Sequence, residues 1–242
     1  MSVRLAILDY GLFQVHANGR VIGIPGYLIR AGGRTILVDT GFPASYAEDA
    51  DRASAEDGLG SFGRVLRLTD DHLPEAQLAR LGLAPADITD LLLTHTHIDH
   101  IGGLANFPSA RIIVGAAERA LPAPLYWGDR RPLAWPDAAY LTVDGDTELL
   151  PGLTVLHTPG HSPGHLSLLL ETAQGTVLLT ADAISRPGEL AEDRFDGAWE
   201  VAQARAQAHR LMAIAADRDA LVIFGHDPAQ WPTLPKAPSW LA

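Results

Sequence analysis

The chain has 242 residues, of which 47% are hydrophobic and 19% charged, and it contains no cysteine. This composition excludes a disordered chain, a disulfide-rich scaffold and a metal site built on thiolates. The formal net charge of −11 disfavours a nucleic-acid partner, because following a phosphate backbone requires clustered positive charge.

Length and hydropathy also set expectations for domains and location. No apolar run approaches the roughly 20 residues of a membrane helix, and the first residues lack a signal-peptide pattern, so we expect no membrane partner. The absence of cysteine fits a cytoplasmic location. Candidate site residues are spread over positions 95 to 226, and one site would tie these segments together, so we expect a single domain over residues 1–242.

Apolar runs and turn residues predict the secondary structure in chain order. Strands are expected at 3–8, 21–30 and 35–38, helix and loop over 42–73, a helix at 73–81, and a helical turn at 85–88 before a strand at 91–94. A strand at 111–114, a short helix at 116–120 and an irregular segment at 122–136 follow. Strands at 140–143 and 153–156 bracket a turn, 166–171 and 176–181 form a hairpin, 185–197 is a loop, 199–216 a helix and 221–224 the last strand.

The densest chemistry lies in His95-Thr-His-Ile-Asp-His100, directly after an apolar run. Imidazole nitrogens and carboxylate oxygens are the donors that suit zinc and its first-row neighbours. Three more candidates, His161, Asp182 and His226, each follow an apolar run within a few residues. Because sites in α/β sheets gather at the carboxyl ends of strands, we interpret these residues as one site.

Grouping these residues predicts two divalent metal ions. The predicted ligands are His95, His97 and His161 for the first ion, Asp99, His100 and His226 for the second, and Asp182 as a bridge between them. Two ions about 3.5–4 Å apart would lower the pKa of a shared water towards about 7. Zinc is favoured, and iron, manganese and cobalt are also compatible with the donors.

The histidine-rich string, with His161, Asp182 and His226, resembles the metallo-β-lactamase superfamily over nearly the whole chain. This resemblance implies an α/β (α+β) fold, the αβ/βα four-layer sandwich, with two mixed sheets flanked by helices. The motifs at 27–30, 37–41, 157–165 and 224–227 look most like N-acyl homoserine lactone lactonases, which quench quorum sensing. The implied reaction is opening of a lactone by a hydroxide that bridges the two ions.

The resemblance includes one departure, at Ser185. Those lactonases usually carry a tyrosine three residues after the bridging aspartate, where it contacts the substrate carbonyl; here the residue is Ser185. Ser185 is the candidate hydroxyl donor to the substrate, and the aromatic residues Trp127 and Tyr126 are candidates for lining an apolar substrate pocket. Asp99 is the candidate proton shuttle and, with Asp182, a candidate catalytic residue. Asp39 and His165 are expected to orient the ligands from outside the site.

Alternative functions are compatible with the same ligands. They are a thioesterase of the glyoxalase II kind, an arylesterase or phosphotriesterase of the same fold, and a non-catalytic metal-binding protein. The expected partner is a small-molecule ester or lactone, and a homodimer is left open.

Overall fold

The structure is a computed structural model that describes residues 3–195 and 197–242. Its strands are β1 Arg4–Val15, β2 Val21–Ala31, β3 Arg34–Val38, β4 Gly63–Arg67, β5 Asp90–Leu92, β6 Arg111–Gly115, β7 Tyr140–Val143, β8 Thr147–Leu150, β9 Leu153–His157, β10 Leu166–Thr172, β11 Gly175–Ala181 and β12 Leu221–Phe224. Its α-helices are α1 Ser45–Glu48, α2 Ala50–Asp57, α3 Pro74–Ala79, α4 Ile98–Ile101, α5 Ala116–Arg119, α6 Pro187–Glu192 and α7 Val201–Asp217. Of these helices, none is long and apolar enough to span a lipid bilayer.

The strands form two mixed sheets. The first sheet has seven strands in the order β4-β1-β2-β3-β5-β6-β7, and the strands from β3 to β7 in that order run parallel. The second has five strands in the order β12-β11-β10-β9-β8, with only the β11–β12 pair parallel.

The two sheets pack face to face and helices cover their outer sides. Ile29 and Leu92 of the first sheet are buried in one apolar cluster with Leu168 and Leu179 of the second. The outer face of the second sheet packs on α7, whose Ala208 and other small or apolar residues face it at helical spacing. The outer face of the first sheet shares a cluster with residues of α1, α2 and α3. This arrangement confirms the αβ/βα sandwich.

Strand β1 runs to Val15, beyond its expected end at residue 8, and three further elements differ from the sequence-based expectations. The segment 185–197 was expected to be a loop, but it contains α6, which begins with Pro187 at its first position, where the missing N–H costs nothing. The Pro-Gly pair at 187–188 reads as a turn in the sequence. Asp196, also in that predicted loop, lies outside the described residues.

The other two differences are strands with little apolar pattern. Strand β4 lies in the segment expected to be helix and loop; it is a mostly exposed edge strand that pairs with the second half of β1. Strand β8 lies between the two runs that were expected to bracket a turn, and those runs belong to different sheets. Period-two alternation is weak in an exposed edge strand, so neither element carries a clear sequence signal.

Candidate functional site

The seven predicted ligands all lie on segments that leave one edge of the sandwich. His95 and His97 follow β5, and Asp99 and His100 lie in α4. From the second sheet, His161 follows β9, Asp182 directly follows β11 and His226 follows β12. These strands end at the same edge, so residues distant in sequence meet there.

The first group, called the first trio, consists of His95, His97 and His161. The Nδ1 atom of His97 lies 3.0 Å from Nε2 of His95 and 3.0 Å from Nε2 of His161. A single N–H can lie between only one of these pairs, so three ring nitrogens converge with more lone pairs than hydrogens. Such an arrangement suits a cation at the point where the nitrogens meet.

The second group, called the second trio, consists of Asp99, His100 and His226. The Nε2 atoms of both histidines lie 3.6 Å from Oδ2 of Asp99. Both Nε2 atoms are buried, and neither forms a hydrogen bond of normal geometry with any described residue. Because an unpartnered buried polar atom is costly, these two atoms indicate a missing ligand.

Asp182 lies between the two trios and faces each with a different oxygen. Its Oδ2 is 3.4 Å from Nε2 of His161 and 4.0 Å from Nε2 of His95. Its Oδ1 is 3.1 Å from Nε2 of His226 and 3.7 Å from Nε2 of His100. This is the arrangement expected of a carboxylate shared by two metal positions.

Hydrogen bonds from outside the site fix both histidines of the second trio. Nδ1 of His100 donates to Oδ2 of Asp39 at 2.8 Å, and Nδ1 of His226 donates to the carbonyl oxygen of Gly23 at 2.9 Å. Asp39 is itself held by the backbone N–H and hydroxyl of Thr94, at 2.8 and 2.7 Å. With each Nδ1 hydrogen committed, Nε2 is the ring atom that faces the site.

His165 contacts the backbone of a predicted ligand and lies outside both trios. Its Nε2 accepts a hydrogen bond from the backbone N–H of Asp182 at 3.1 Å, and its Nδ1 donates to the hydroxyl of Thr158 at 2.9 Å. The ring is fully buried. It therefore holds the turn after β11 that carries Asp182.

Burial dominates the protonation of the first trio. Removal from water lowers the pKa of all three histidines, and the neighbouring imidazoles lower it further in His95 and His97, so that the pKa of His97 is about 4. These rings are neutral at neutral pH, which is the form that binds metal.

Carboxylates dominate the protonation of the second trio. Burial alone would lower the pKa of His100, but the charges of Asp99 and Asp39 outweigh it and raise that pKa to about 10. Burial likewise opposes protonation of His226, but Asp182 and Asp99 raise its pKa to about 9. Burial would raise the pKa of Asp182, but the charge of His226 and its neighbours holds it well below the usual range. The site therefore attracts positive charge, and its nitrogen and oxygen donors fit divalent metal ions.

Ser185 lies beside the trios, next to a small cavity of about 40 Å³ that His161, Asp182 and Glu189 also line. Its backbone N–H donates to Oε2 of Glu189 at 2.7 Å, and its carbonyl oxygen accepts from the backbone N–H of His226 at 2.8 Å. A larger surface cleft of about 580 Å³ contains none of the predicted site residues.

Tyr126 and Trp127 lie on the opposite flank, beside His97. The backbone of Tyr126 bonds to both neighbours of His97, accepting from Ile98 N at 3.0 Å and donating to the carbonyl oxygen of Thr96 at 2.8 Å. The Tyr126 ring is buried and its hydroxyl donates to Asp57 at 2.9 Å. Trp127 packs on the half-exposed Phe62, with the ring centroids 5.0 Å apart. Of the two predicted residues, Trp127 thus presents an aromatic surface.

Two acids near the site were missed in the sequence. Glu118 is fully buried and accepts hydrogen bonds from Thr96 and Gly164. It is the only acidic residue between Asp99 and Asp129, and that isolation was its one sequence signal. Burial raises the pKa of the second acid, Glu189, to about 7, and nearby Asp182 adds to the shift although backbone N–H groups oppose it. Nothing in the sequence around Glu189 indicates that it reaches the site.

Comparisons with known proteins identify the family. The family model described as the metallo-beta-lactamase superfamily matches residues 20–226. An N-acyl homoserine lactonase of Bacillus cereus is 35% identical, with 88% of this chain and 85% of that protein covered. The N-acyl homoserine lactonase AttM of Rhizobium radiobacter is 30% identical over 100% of this chain and 99% of its own length.

Solved structures give the same result. An N-acyl homoserine lactone hydrolase with the product N-hexanoyl-L-homoserine bound at its catalytic metal centre superposes with a TM-score of 0.86 at 28% identity, covering 100% of both chains. The AiiA F107W mutant of B. thuringiensis, with N-decanoyl-L-homoserine bound at its active site, has a TM-score of 0.87 at 28% identity, also with 100% of both chains covered.

Proposed function

Since this chain belongs to the metallo-β-lactamase superfamily, we propose that it is a dinuclear metal-dependent hydrolase that opens the ring of N-acyl homoserine lactones. The observation that carries the proposal is Asp182, whose two carboxylate oxygens face different trios. The similarity to lactonases along nearly the full chain supports the substrate class.

We propose that the seven residues hold two ions. The first trio would hold one ion and the second trio the other, with Asp182, whose two oxygens face different trios, as a shared ligand. The orphaned Nε2 atoms of His100 and His226 support this assignment. Zinc is the ion we propose for both positions, because imidazole and carboxylate donors suit it.

The bound ions supply a Lewis acid for the lactone carbonyl and lower the pKa of the attacking water. The chain moves the protons. Asp99, whose side chain at 19% is the most exposed of the second trio, would take one proton from the water as the water oxygen bonds to the carbonyl carbon. As the ring C–O bond breaks, the Asp99 carboxyl would give that proton to the leaving alkoxide, which completes the hydroxy acid.

Substrate contacts come from both flanks of the site. The hydroxyl of Ser185, beside Asp182, is the proposed donor to the substrate in place of the tyrosine usual in lactonases. The aromatic surface of Trp127 on the other flank is the proposed wall for the acyl chain, with the buried ring of Tyr126 behind it. We further propose a cytoplasmic enzyme that needs no nucleic acid or membrane.

A substrate panel tests the function. The zinc-loaded protein is assayed with N-hexanoyl homoserine lactone, a glutathione thioester, an aryl ester and a phosphotriester. Proton release measures the hydrolysis of each substrate. We expect the highest kcat/KM for the lactone. A higher kcat/KM for any other substrate would assign the chain to one of the alternative hydrolases, and turnover by the metal-free protein would refute the metal mechanism.

A further inference from the structure

Glu118 is a buried acid whose side-chain hydrogen bonds, among the described residues, all go to segments that carry the first trio. Its side chain is fully buried at the end of the first sheet, in α5. Oε1 accepts from the backbone N–H of Thr96 at 2.9 Å and from the hydroxyl of Thr96 at 2.6 Å, and Oε2 accepts from the backbone N–H of Gly164 at 3.1 Å. A carboxylate taken out of water is costly unless such donors satisfy it.

The two partners of Glu118 belong to different sheets. Thr96 lies between His95 and His97 after β5, whereas Gly164 lies three residues after His161 in the loop between β9 and β10. One carboxylate therefore connects the two segments whose imidazoles converge within 3.0 Å in the first trio.

Close backbone packing leaves this connection little freedom. A Cβ atom on Gly164 would overlap the backbone of Glu118, and one on Gly115 would overlap the carbonyl oxygen of Gly164. The start of α5 therefore lies directly against the loop of His161. At this short distance the reach of the carboxylate fixes the spacing between the two segments.

The connection extends to the flank of the site. The Thr96 hydroxyl, which donates to Glu118, accepts a hydrogen bond from the backbone N–H of Leu125 at 3.0 Å. Leu125 precedes Tyr126 and Trp127, so the same hydroxyl orients the segment that we propose as the substrate wall.

We propose that Glu118 is a positioning residue that sets the metal affinity of the first trio, acting through Thr96 and Gly164. This inference rests on the proposed dinuclear site. Glu118 would orient the ligands of the first trio as Asp39 orients those of the second. Asp39 bonds directly to a ligand ring, whereas Glu118 bonds to the chain around the ligands.

The test is the variant Glu118→Gln, which keeps the shape but places an NH₂ group against a backbone or hydroxyl donor. Zinc binding is measured by calorimetry in two backgrounds, His226→Ala to retain the first trio and His161→Ala to retain the second. We expect Glu118→Gln to weaken zinc binding about 10–100-fold at the first trio, the usual cost of losing an outer partner of metal ligands, and to leave the second trio unchanged. An equal loss at both positions, or no loss, would overturn the proposal.

Two further variants separate positioning from general destabilisation. Asp90 is also a fully buried acid, bonded to Arg34 and Arg111, and Asp90→Asn should lower the melting temperature without changing zinc affinity at the first trio. If Glu118→Gln does not fold, Thr96→Val removes the hydroxyl link alone and should weaken the first trio, whereas Thr96→Ser should restore it. Wild-type affinity in Thr96→Val would refute the proposal. Failure of the unmutated protein to bind two zinc ions would instead refute the dinuclear site itself.

Discussion

The two trios contain similar residues but are prepared for metal in opposite ways. Burial and crowding keep the first trio neutral, with the pKa of His97 near 4, whereas the acids around the second trio raise the pKa of His100 to about 10. A cation can thus bind directly to the free lone pairs of the first trio, but it must displace protons from the histidines of the second. Similar residue types therefore give two metal positions that differ in protonation, because the nearby carboxylates raise the histidine pKa values of the second trio.

The trios also differ in how they are held. Each histidine of the second trio is fixed by a bond from its own ring, to Asp39 or to Gly23. In the first trio the ring of His95 contacts the Thr94 hydroxyl at 3.2 Å, and Glu118 holds the backbone around the ligands. Local mutations should therefore affect the two positions separately, except at Asp182 and at Thr94, whose hydroxyl also bonds to Asp39.

The largest effect is expected at the residue that both positions share. Asp182→Asn replaces a charged oxygen that faces one trio with a neutral amide. We expect lactonase activity to fall by more than about 100-fold, beyond the upper end of the loss for outer partners of ligands, and bound zinc to fall with it. Elemental analysis and kinetics on the same sample check this. A variant that kept both ions and full activity would show that the carboxylate is not shared.

Asp39→Asn should weaken zinc binding at the second trio alone. The amide keeps the shape but presents no charge to Nδ1 of His100. We expect about 10–100-fold weaker zinc binding at the second trio and unchanged binding at the first. Calorimetry in the His161→Ala and His226→Ala backgrounds measures this, and together with Glu118→Gln it forms a matched pair. Loss at the first trio alone would reverse our assignment of Asp39.

Glu189, which lines a cavity with His161 of the first trio, should make the free energy of unfolding depend on pH. Because burial raises the pKa of Glu189 from 4.5 to about 7 in the folded protein, its contribution to stability is complete below pH 4.5 and is lost as pH rises through 7. Glu189→Gln, which stays neutral, should gain about 3 kcal/mol in free energy of unfolding relative to the unmutated protein between pH 4.5 and 8. Urea unfolding of both metal-free proteins across this range measures it. A difference that does not change with pH would contradict the raised pKa.

The smallest effect is expected at Ser185. If its hydroxyl donates one neutral hydrogen bond to the substrate, Ser185→Ala should lower kcat/KM by about 2–10-fold, as the net value of such a bond implies. Zinc content should not change, and this serves as the control. Unchanged kcat/KM would leave the substrate donor to another residue.

The sequence signal for the proposed ligands was local. Four of its cues needed only neighbouring residues: the string from His95 to His100 and the apolar runs before His161, Asp182 and His226. These three runs form strands of the second sheet, and the run before His95 forms β5 of the first. The contacts of the two Asp182 oxygens, one with His161 and the other with His226, follow from tertiary packing, which only the structure shows.

Two of the misses, Glu118 and strand β4, share one physical cause, which is dependence on contacts distant in sequence. Glu118 acts across 46 residues through a bond to Gly164, and no local pattern encodes a contact at that separation. Strand β4 owes its conformation to pairing with β1, and its exposed residues show no alternation. In α6, Pro187 did signal a helix start, but the following glycine favoured a turn.

The seven predicted ligands come from both halves of the sandwich, four from the first sheet and three from the second. Cations held between them would act as a cross-link between the two layers, in a chain that has no cysteine to form a covalent one. Metal binding then adds directly to folding stability, so the melting temperature should climb with free zinc and fall when a chelator strips it. The metal centre would therefore also hold the two sheets together.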